Sequence, residues 1–113
     1  MTDNAWTDIG PADDFTADER RCVTADGVHA IVFHVQGELY AIENRCPHAG
    51  LQLADGERNG LTLTCPYHGY TYNIKNGKNV DDPFYAERVR TFPVRIEAGR
   101  TQIQITPPPE EQA

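Results

Sequence analysis

The sequence has no long hydrophobic run and little positive charge, and each shortage excludes a class of protein. The longest apolar stretch, residues 30–33, is ended by His34, far short of the ~20 apolar residues that a membrane-spanning helix needs. Ten Lys and Arg residues against seventeen Asp and Glu residues give a net charge of −7. Binding to nucleic acid requires a concentrated basic surface instead. We therefore expect neither a membrane span nor a nucleic-acid partner.

Cysteine is also scarce, with three residues in a chain of 113. The acidic N-terminus lacks the basic start and apolar middle of a secretory signal, so we expect a cytoplasmic protein. An odd number of cysteines without an export signal disfavours a disulfide framework and favours metal-ligand or free-thiol roles. Cys22 lies in a predicted strand, R-R-C-V-T, where we expect a small buried hydrophobic residue.

Short alternating or β-branched segments separated by glycine recur along the chain, and helical signals are few. This pattern is typical of an all-β sandwich or barrel. Residues 28–35 and 38–43 predict a hairpin closed by Gln36-Gly37. A terminal hairpin is predicted near the C-terminus, and its first strand is expected to place three side chains on one face: Phe92, Val94 and Ile96.

The length allows one hydrophobic core but hardly two, so we expect a single domain at residues 1–106. The last residues, 107–113, read P-P-P-E-E-Q-A. Proline cannot donate to a β-ladder, and we expect this tail to be disordered.

Two short motifs carry the chemistry, C-P-H-A-G-L at residues 46–51 and C-P-Y-H-G-Y at residues 65–70. Each motif supplies one cysteine and one histidine, and four such ligands could in principle hold zinc. Zinc sites of this composition usually pair C-x₂₋₄-C with H-x₃₋₅-H, whereas here the spacings are C-x-H and C-x₂-H. The candidate metal ligands are Cys46, His48, Cys65 and His68.

The paired motifs resemble those of the Rieske iron–sulfur family, over roughly residues 25–106. The resemblance implies an antiparallel β-sandwich or barrel, with a cluster-binding part at about residues 44–84 that carries two ligand loops. It further implies one [2Fe–2S] cluster bound by two cysteines on the inner iron and two histidines on the outer iron. These ligands would be Cys46 and Cys65, and His48 and His68, respectively.

Other residues extend the resemblance beyond the ligands. Gly50 and Gly69 match loop glycines that let backbone N–H groups approach the sulfur atoms. Residues 79–84 resemble the proline-bearing third loop that shields the cluster, with Pro83 as its lid. We expect five aromatic residues to serve mainly as packing that keeps water off the cluster: Tyr67, Tyr70, Tyr72, Phe84 and Phe92. His29 and His34 are expected to be partly buried structural residues.

The ligand loops also depart from the high-potential branch of the family. That branch has an extra cysteine in each loop, where this chain has Leu51 and Tyr67. It also has a serine that donates to a sulfide, where this chain has Tyr70. Losing a donor to sulfur disfavours the reduced, more negative cluster. The resemblance therefore implies a potential near the lower end of the Rieske range, about −150 mV.

The resemblance implies a ferredoxin of a bacterial multicomponent aromatic-ring dioxygenase and not an enzyme. Catalytic oxygenase subunits continue into a domain with a 2-His-1-carboxylate iron site, for which we see no counterpart. Such a ferredoxin passes electrons from a flavin-dependent ferredoxin reductase to a terminal Rieske non-haem iron oxygenase in aromatic hydrocarbon catabolism. One surface serving two partners implies weak docking by a monomer.

Two alternatives stay open at this point. The chain could be a permanent Rieske-like small subunit of a reductase complex such as assimilatory nitrite reductase, which would require an apolar interface. It could also be a zinc-binding interaction module without a redox role.

Overall fold

The computed structural model describes residues 6–16, 20–46, 52–66, 69–80 and 88–105. Within these ranges the chain forms ten strands and one four-residue helix. In chain order they are β1 (Trp6–Pro11), α1 (Asp13–Thr16), β2 (Arg20–Ala25), β3 (Val28–Val35), β4 (Glu38–Glu43), β5 (Glu57–Asn59), β6 (Thr62–Thr64), β7 (Thr71–Asn73), β8 (Thr91–Phe92), β9 (Val94–Glu97) and β10 (Arg100–Gln104). All paired strands are antiparallel, so the all-β prediction is confirmed.

The largest sheet has four strands in the order β2-β3-β4-β8. The predicted hairpin of β3 and β4 is confirmed, with Val35 paired to Glu38 across the turn. Gln36 and Gly37 have φ values of 52° and 83°. Positive φ at both central residues is the feature of a type I′ turn, whose twist matches that of the flanking strands.

Strand β3 is buried on both faces and separates two hydrophobic cores. Its odd-numbered residues Ile31 and Phe33 face one core, and its even-numbered residues Ala30 and Val32 face the other. The cysteine core comprises Ile31, Phe33, Val35, Ile42, Cys46, Leu53, Leu63, Cys65, Tyr72, Ile74 and Val89. The terminal core comprises Phe15, Ala25, Ala30, Val32, Ala41, Phe92 and Ile103. Burial on both faces explains why β3 reads as an almost continuous apolar run.

The second sheet has the order β1-β10-β9 and joins the two ends of the described chain. Strand β1 was not predicted, because its residues do not alternate clearly between polar and apolar. The predicted single face of Phe92, Val94 and Ile96 is wrong. Pro93 separates β8 in the large sheet from β9 in this one, since proline cannot continue a ladder. Phe92 is buried whereas Ile96 is 45% exposed.

The third sheet has the order β5-β6-β7 and lies within residues 44–84, which were predicted to bind the cluster. Leu63 and Tyr72 are paired across β6 and β7, and both are completely buried in the cysteine core. This core therefore lies between the large sheet and the small sheet that leads into the second motif. Among the described residues no helix is long and apolar enough to cross a membrane.

The predicted domain boundaries stay predictions. A single domain at residues 1–106 stays a prediction, and the tail at residues 107–113, predicted to be disordered, lies outside the described residues.

Candidate metal centre

The structure brings the two motif cysteines into one hydrophobic core. Cys46 follows β4 after two residues, and Cys65 follows β6 directly. Their exposed fractions are 0% and 1%, and both belong to the cysteine core. None of the three cysteines, all of which are described, forms a disulfide. Two thiols from separate loops are thus buried in the same core.

The second motif forms a tight loop whose ends are joined by backbone hydrogen bonds. The Cys65 N–H donates to the Tyr70 carbonyl oxygen at 2.7 Å, and the Gly69 N–H donates to the Cys65 carbonyl oxygen at 3.1 Å. Just outside this loop, the hydroxyls of Thr64 and Thr71 are hydrogen-bonded at 2.9 Å. Cys65 and Tyr70 are therefore held together, and His68 lies outside the described residues.

The first motif lies in a wider loop closed by a side chain. The Asn44 side-chain oxygen accepts hydrogen bonds from the N–H groups of Leu53 and Ala54 at 2.7 and 2.9 Å. Asn44 lies two residues before Cys46, so its carboxamide joins the start of this loop to its end. The candidate ligand His48 and the neighbouring Gly50 are outside the described residues.

The predicted third loop is held at its base. The Val80 N–H donates to the Thr71 carbonyl oxygen at 2.8 Å, and the Val89 N–H donates to the Gly77 carbonyl oxygen at 2.9 Å. Gly77 has a φ of 79°, and a Cβ added to it would clash with the Val89 carbonyl. The expected lid, Pro83, and the neighbouring Phe84 lie outside the described residues.

Tyr72 is the functional residue whose role the sequence analysis missed. It was predicted as packing, and its ring is indeed completely buried in the cysteine core. Its hydroxyl also lies 3.9 Å from the Cys46 sulfur, within hydrogen-bond reach. The signal was its position on β7, where alternation places it on the same buried face as its neighbour Leu63.

Two other aromatic residues that were predicted to pack beside the cluster lie in different cores. Tyr70 packs against the cysteine core, as expected. Phe92 is buried in the terminal core instead, so its expected role beside the cluster is wrong. It belongs to the face of the large sheet opposite the cysteines. Tyr67 lies outside the described residues.

Two predictions about residues outside the motifs are corrected. Cys22 is exposed, not buried, because β2 is the edge strand of its sheet. His29 is exposed as well and pairs with the Thr24 hydroxyl at 3.0 Å, whereas His34 is partly buried as expected.

The donors present fit a thiolate-bound iron–sulfur group. Burying an ionised thiolate in apolar surroundings is costly unless a cation or a hydrogen bond compensates it. Cys46 has the Tyr72 hydroxyl beside it, and ferric ions would neutralise both thiolates. Among the described residues no group of three or more metal ligands occurs, because only the two cysteines of the predicted set fall within them.

Comparison with known proteins identifies the same group of proteins. Residues 5–93 match the Rieske [2Fe-2S] domain family. The ferredoxin component of the naphthalene 1,2-dioxygenase/salicylate 5-hydroxylase systems of Ralstonia sp. is 30% identical over 105 residues. The aligned region covers 93% of this chain and 99% of that protein, so the similarity extends over nearly the whole of both chains.

Solved structures share the fold. The Sphingomonas yanoikuyae B1 ferredoxin superimposes with a TM-score of 0.76 at 25% identity, over 90% of this chain and all of that one. A chain of the complex of reduced oxygenase and oxidized ferredoxin in carbazole 1,9a-dioxygenase gives the same TM-score and identity, over 90% of this chain and 94% of that one. The chain therefore belongs to the Rieske [2Fe–2S] domain family, and it is a ferredoxin-type electron carrier with one Rieske cluster, not a catalytic enzyme.

Proposed function

We propose that Cys46 and Cys65 bind the inner iron of the cluster and that His48 and His68 bind the outer iron. Loaded in this way, the protein would carry electrons from a flavin-dependent ferredoxin reductase to the terminal Rieske non-haem iron oxygenase of an aromatic-ring dioxygenase. The observation that carries the proposal is the burial of two cysteines from separate C-P-containing loops in one core, with no disulfide between them.

The residues around the thiols have defined tasks in this proposal. When bound, the cluster accepts and releases one electron at a time. The cysteine core keeps water from the sulfur atoms of Cys46 and Cys65, which holds the local dielectric low. The Tyr72 hydroxyl lies 3.9 Å from the Cys46 sulfur and would donate to it when that sulfur is an iron-bound thiolate. Such donors stabilise the more negative, reduced state.

The relatives support the choice of partners. The ferredoxin component from Ralstonia sp. belongs to dioxygenase and hydroxylase systems by name, and this chain covers 99% of it. The carbazole 1,9a-dioxygenase structure is a complex of an oxygenase with a ferredoxin. By analogy, we propose that this chain docks transiently on an oxygenase and on a reductase, as a monomer in the cytoplasm.

The alternatives predict different behaviour. A permanent subunit of a reductase complex would co-purify stoichiometrically with its partner, whereas a shuttle would elute alone from size-exclusion chromatography. The zinc module is not supported, because the matching family carries a [2Fe–2S] cluster.

Spectroscopy of single-ligand variants tests the ligand assignment. The anaerobically prepared protein should contain two irons and two acid-labile sulfides and show a Rieske EPR signal after reduction. The His68→Ala variant removes an outer-iron ligand but leaves both thiolates, so we expect loss or conversion of the cluster with the β-fold retained by circular dichroism. Unchanged g-values in His68→Ala would refute the assignment of this ligand.

Kinetics with partner proteins test the electron path. The oxidised protein should be reduced by a dioxygenase-system reductase with NADH, and it should then support turnover by the cognate oxygenase. Reduction without any delivery to an oxygenase would contradict the proposed partner.

A further inference from the structure

The backbone of residues 53–56, which leave the first ligand loop, is bound by side chains from two distant positions. Asn44 accepts hydrogen bonds from the N–H groups of Leu53 and Ala54. One guanidinium nitrogen of Arg20, at the start of β2, donates hydrogen bonds to the carbonyl oxygens of Ala54 and Gly56, at 2.5 and 2.8 Å. Every one of these contacts is partly buried, so water competes poorly for them.

Asn44 joins the two ends of the segment that contains Cys46, and we call its contact with Leu53 and Ala54 the neck of the first loop. Its own N–H donates to the His29 carbonyl oxygen on β3 at 2.9 Å, which fixes it to the large sheet. Its side-chain oxygen reaches across to Leu53, whose side chain is fully buried beside Cys46 in the cysteine core. The segment that contains Cys46 is therefore joined to the large sheet and to residues 53–54 at a single residue, Asn44.

The same segment also touches the second ligand loop. Gly56 lies so close to β6 that an added Cβ would clash with the carbonyl oxygen of Thr64. Thr64 directly precedes Cys65. Residues 53–56 thus connect the neck of the first loop to the residue before the second cysteine.

We propose that Asn44 is a positioning residue for the cluster, which fixes the spacing of the two ligand loops through its bonds to Leu53 and Ala54. This inference rests on the proposed assignment of Cys46 and His48 as ligands. A neutral carboxamide suits the position, because its oxygen accepts two N–H groups without adding a negative charge near the cluster. Aspartate would keep both bonds but add that charge, which would oppose reduction.

Three variants of the full-length holoprotein separate this role from general stability. Asn44→Ala removes the acceptor, and Asn44→Asp restores it. Asn73→Ala is the matched control, because the Asn73 side-chain oxygen also accepts two backbone N–H groups, from Lys75 and Asn76 at 2.8 and 3.3 Å. That turn follows β7, at the end of the strand away from Cys65 and Tyr70.

The readouts are the EPR g-values and line widths of the reduced cluster, its midpoint potential, and the rate at which a chelator removes iron. For Asn44→Ala we expect broadened EPR lines and iron release several-fold faster than in the wild type. Asn44→Asp should recover the wild-type line widths and release rate, with a lower midpoint potential. Asn73→Ala should change none of the three, although its thermal stability falls.

The proposal is overturned if Asn44→Ala matches the wild type, if Asn73→Ala broadens the lines equally, or if Asn44→Asp fails to restore them. Should Asn44→Ala not fold, hydrogen-exchange mass spectrometry of the wild type and Asn44→Asp decides instead. Slow exchange of the Leu53 and Ala54 amides in both supports the neck, and fast exchange in either refutes it. A wild-type protein without a Rieske EPR signal would refute the ligand assignment, which is a separate failure.

Discussion

Tyr72 combines two roles at one residue, since its ring fills the cysteine core while its hydroxyl lies 3.9 Å from the Cys46 sulfur. A donor to a ligand sulfur stabilises the reduced cluster more than the oxidised one. With Cys46 as a cluster ligand, as proposed above, the position of this hydroxyl would contribute to the driving force for accepting an electron.

Replacing Tyr72 by phenylalanine should lower the midpoint potential. Removing a hydrogen bond of about 1 kcal/mol corresponds to roughly 40 mV for a one-electron couple. Redox titration monitored by EPR measures the shift. Tyr40→Phe is the control, because Tyr40 packs against the same core but is only partly buried, and it should leave the potential unchanged. An unaltered or higher potential in Tyr72→Phe would contradict the assigned role.

Cys22 shows how little an exposed thiol on an edge strand should matter. Its side chain is outside both cores, so Cys22→Ser should alter the free energy of unfolding by no more than about 0.5 kcal/mol. The EPR spectrum should also be unchanged. Loss of the Rieske signal in this variant would mean that Cys22, and not one of the motif cysteines, serves the cluster.

At the scale of elements, the turn after β7 packs closely against the segment that enters β8. The turn after β7 brings Gly77 against Val89, where its φ of 79° and the nearby carbonyl exclude a side chain. This contact closes the base of the third loop.

Gly77→Ala should lower the free energy of unfolding of the holoprotein by at least about 2 kcal/mol. The new side chain would have to adopt a left-handed backbone conformation, and its Cβ would clash with the Val89 carbonyl. Gly60→Ala is the matched control, since Gly60 has a φ of 63° and nothing within 4 Å of an added Cβ. It should cost about 1 kcal/mol. Thermal unfolding followed by circular dichroism compares the two, and equal losses would show that the Val89 contact is unimportant.

The second sheet, with the order β1-β10-β9, carries an acid-sensitive ion pair between β1 and β10. Two nitrogens of Arg100 donate to the Asp8 carboxylate at 2.9 and 3.0 Å, and the Gly10 N–H donates to it at 2.8 Å. The hydrogen bond from Arg100, followed by that from Gly10, holds the pKa of Asp8 below its ordinary value. The folded state thus binds this proton more weakly than the unfolded state.

Asp8→Asn should therefore be less stable than the wild type at neutral pH but not in acid. The stabilisation is fully present above the unfolded pKa of about 3.9 and is lost as the pH falls through the lower folded value. Urea unfolding at pH 7 and at pH 2.5 measures the difference, which should shrink in acid and at high salt. A difference that persists at low pH would show that the ion pair is not its source.

The reduction potential belongs to the whole molecule, because ligand charge, sulfur donors and burial all contribute to it. The resemblance places Tyr70 at the serine position of the high-potential branch, while the Tyr72 hydroxyl lies 3.9 Å from the Cys46 sulfur. We expect a midpoint near the lower end of the Rieske range, about −150 mV. A redox titration giving a value above roughly +100 mV, well inside the span of the high-potential branch, would contradict this expectation.

Whole-molecule architecture also explains which sequence predictions were accurate. Hairpins with a glycine turn, such as β3 and β4, were predicted because strand pattern and turn chemistry are local. Strand β1 was missed because it pairs with β10 from the other end of the chain, and the break at Pro93 was missed because β8 pairs with the distant β4. Cys22 was misplaced for a related reason, since an edge position is a property of the sheet and not of the strand.

The sequence by itself determined the chemistry. The candidate ligands lie in two short segments, and their cysteine and histidine spacings are typical of an iron–sulfur group. Only the tertiary structure decided how those segments are held. The Asn44 neck, the Tyr72 hydroxyl at Cys46 and the division of β3 between two cores all join residues far apart in the chain. Such contacts exist only when the sheets have packed, so no local pattern could have specified them.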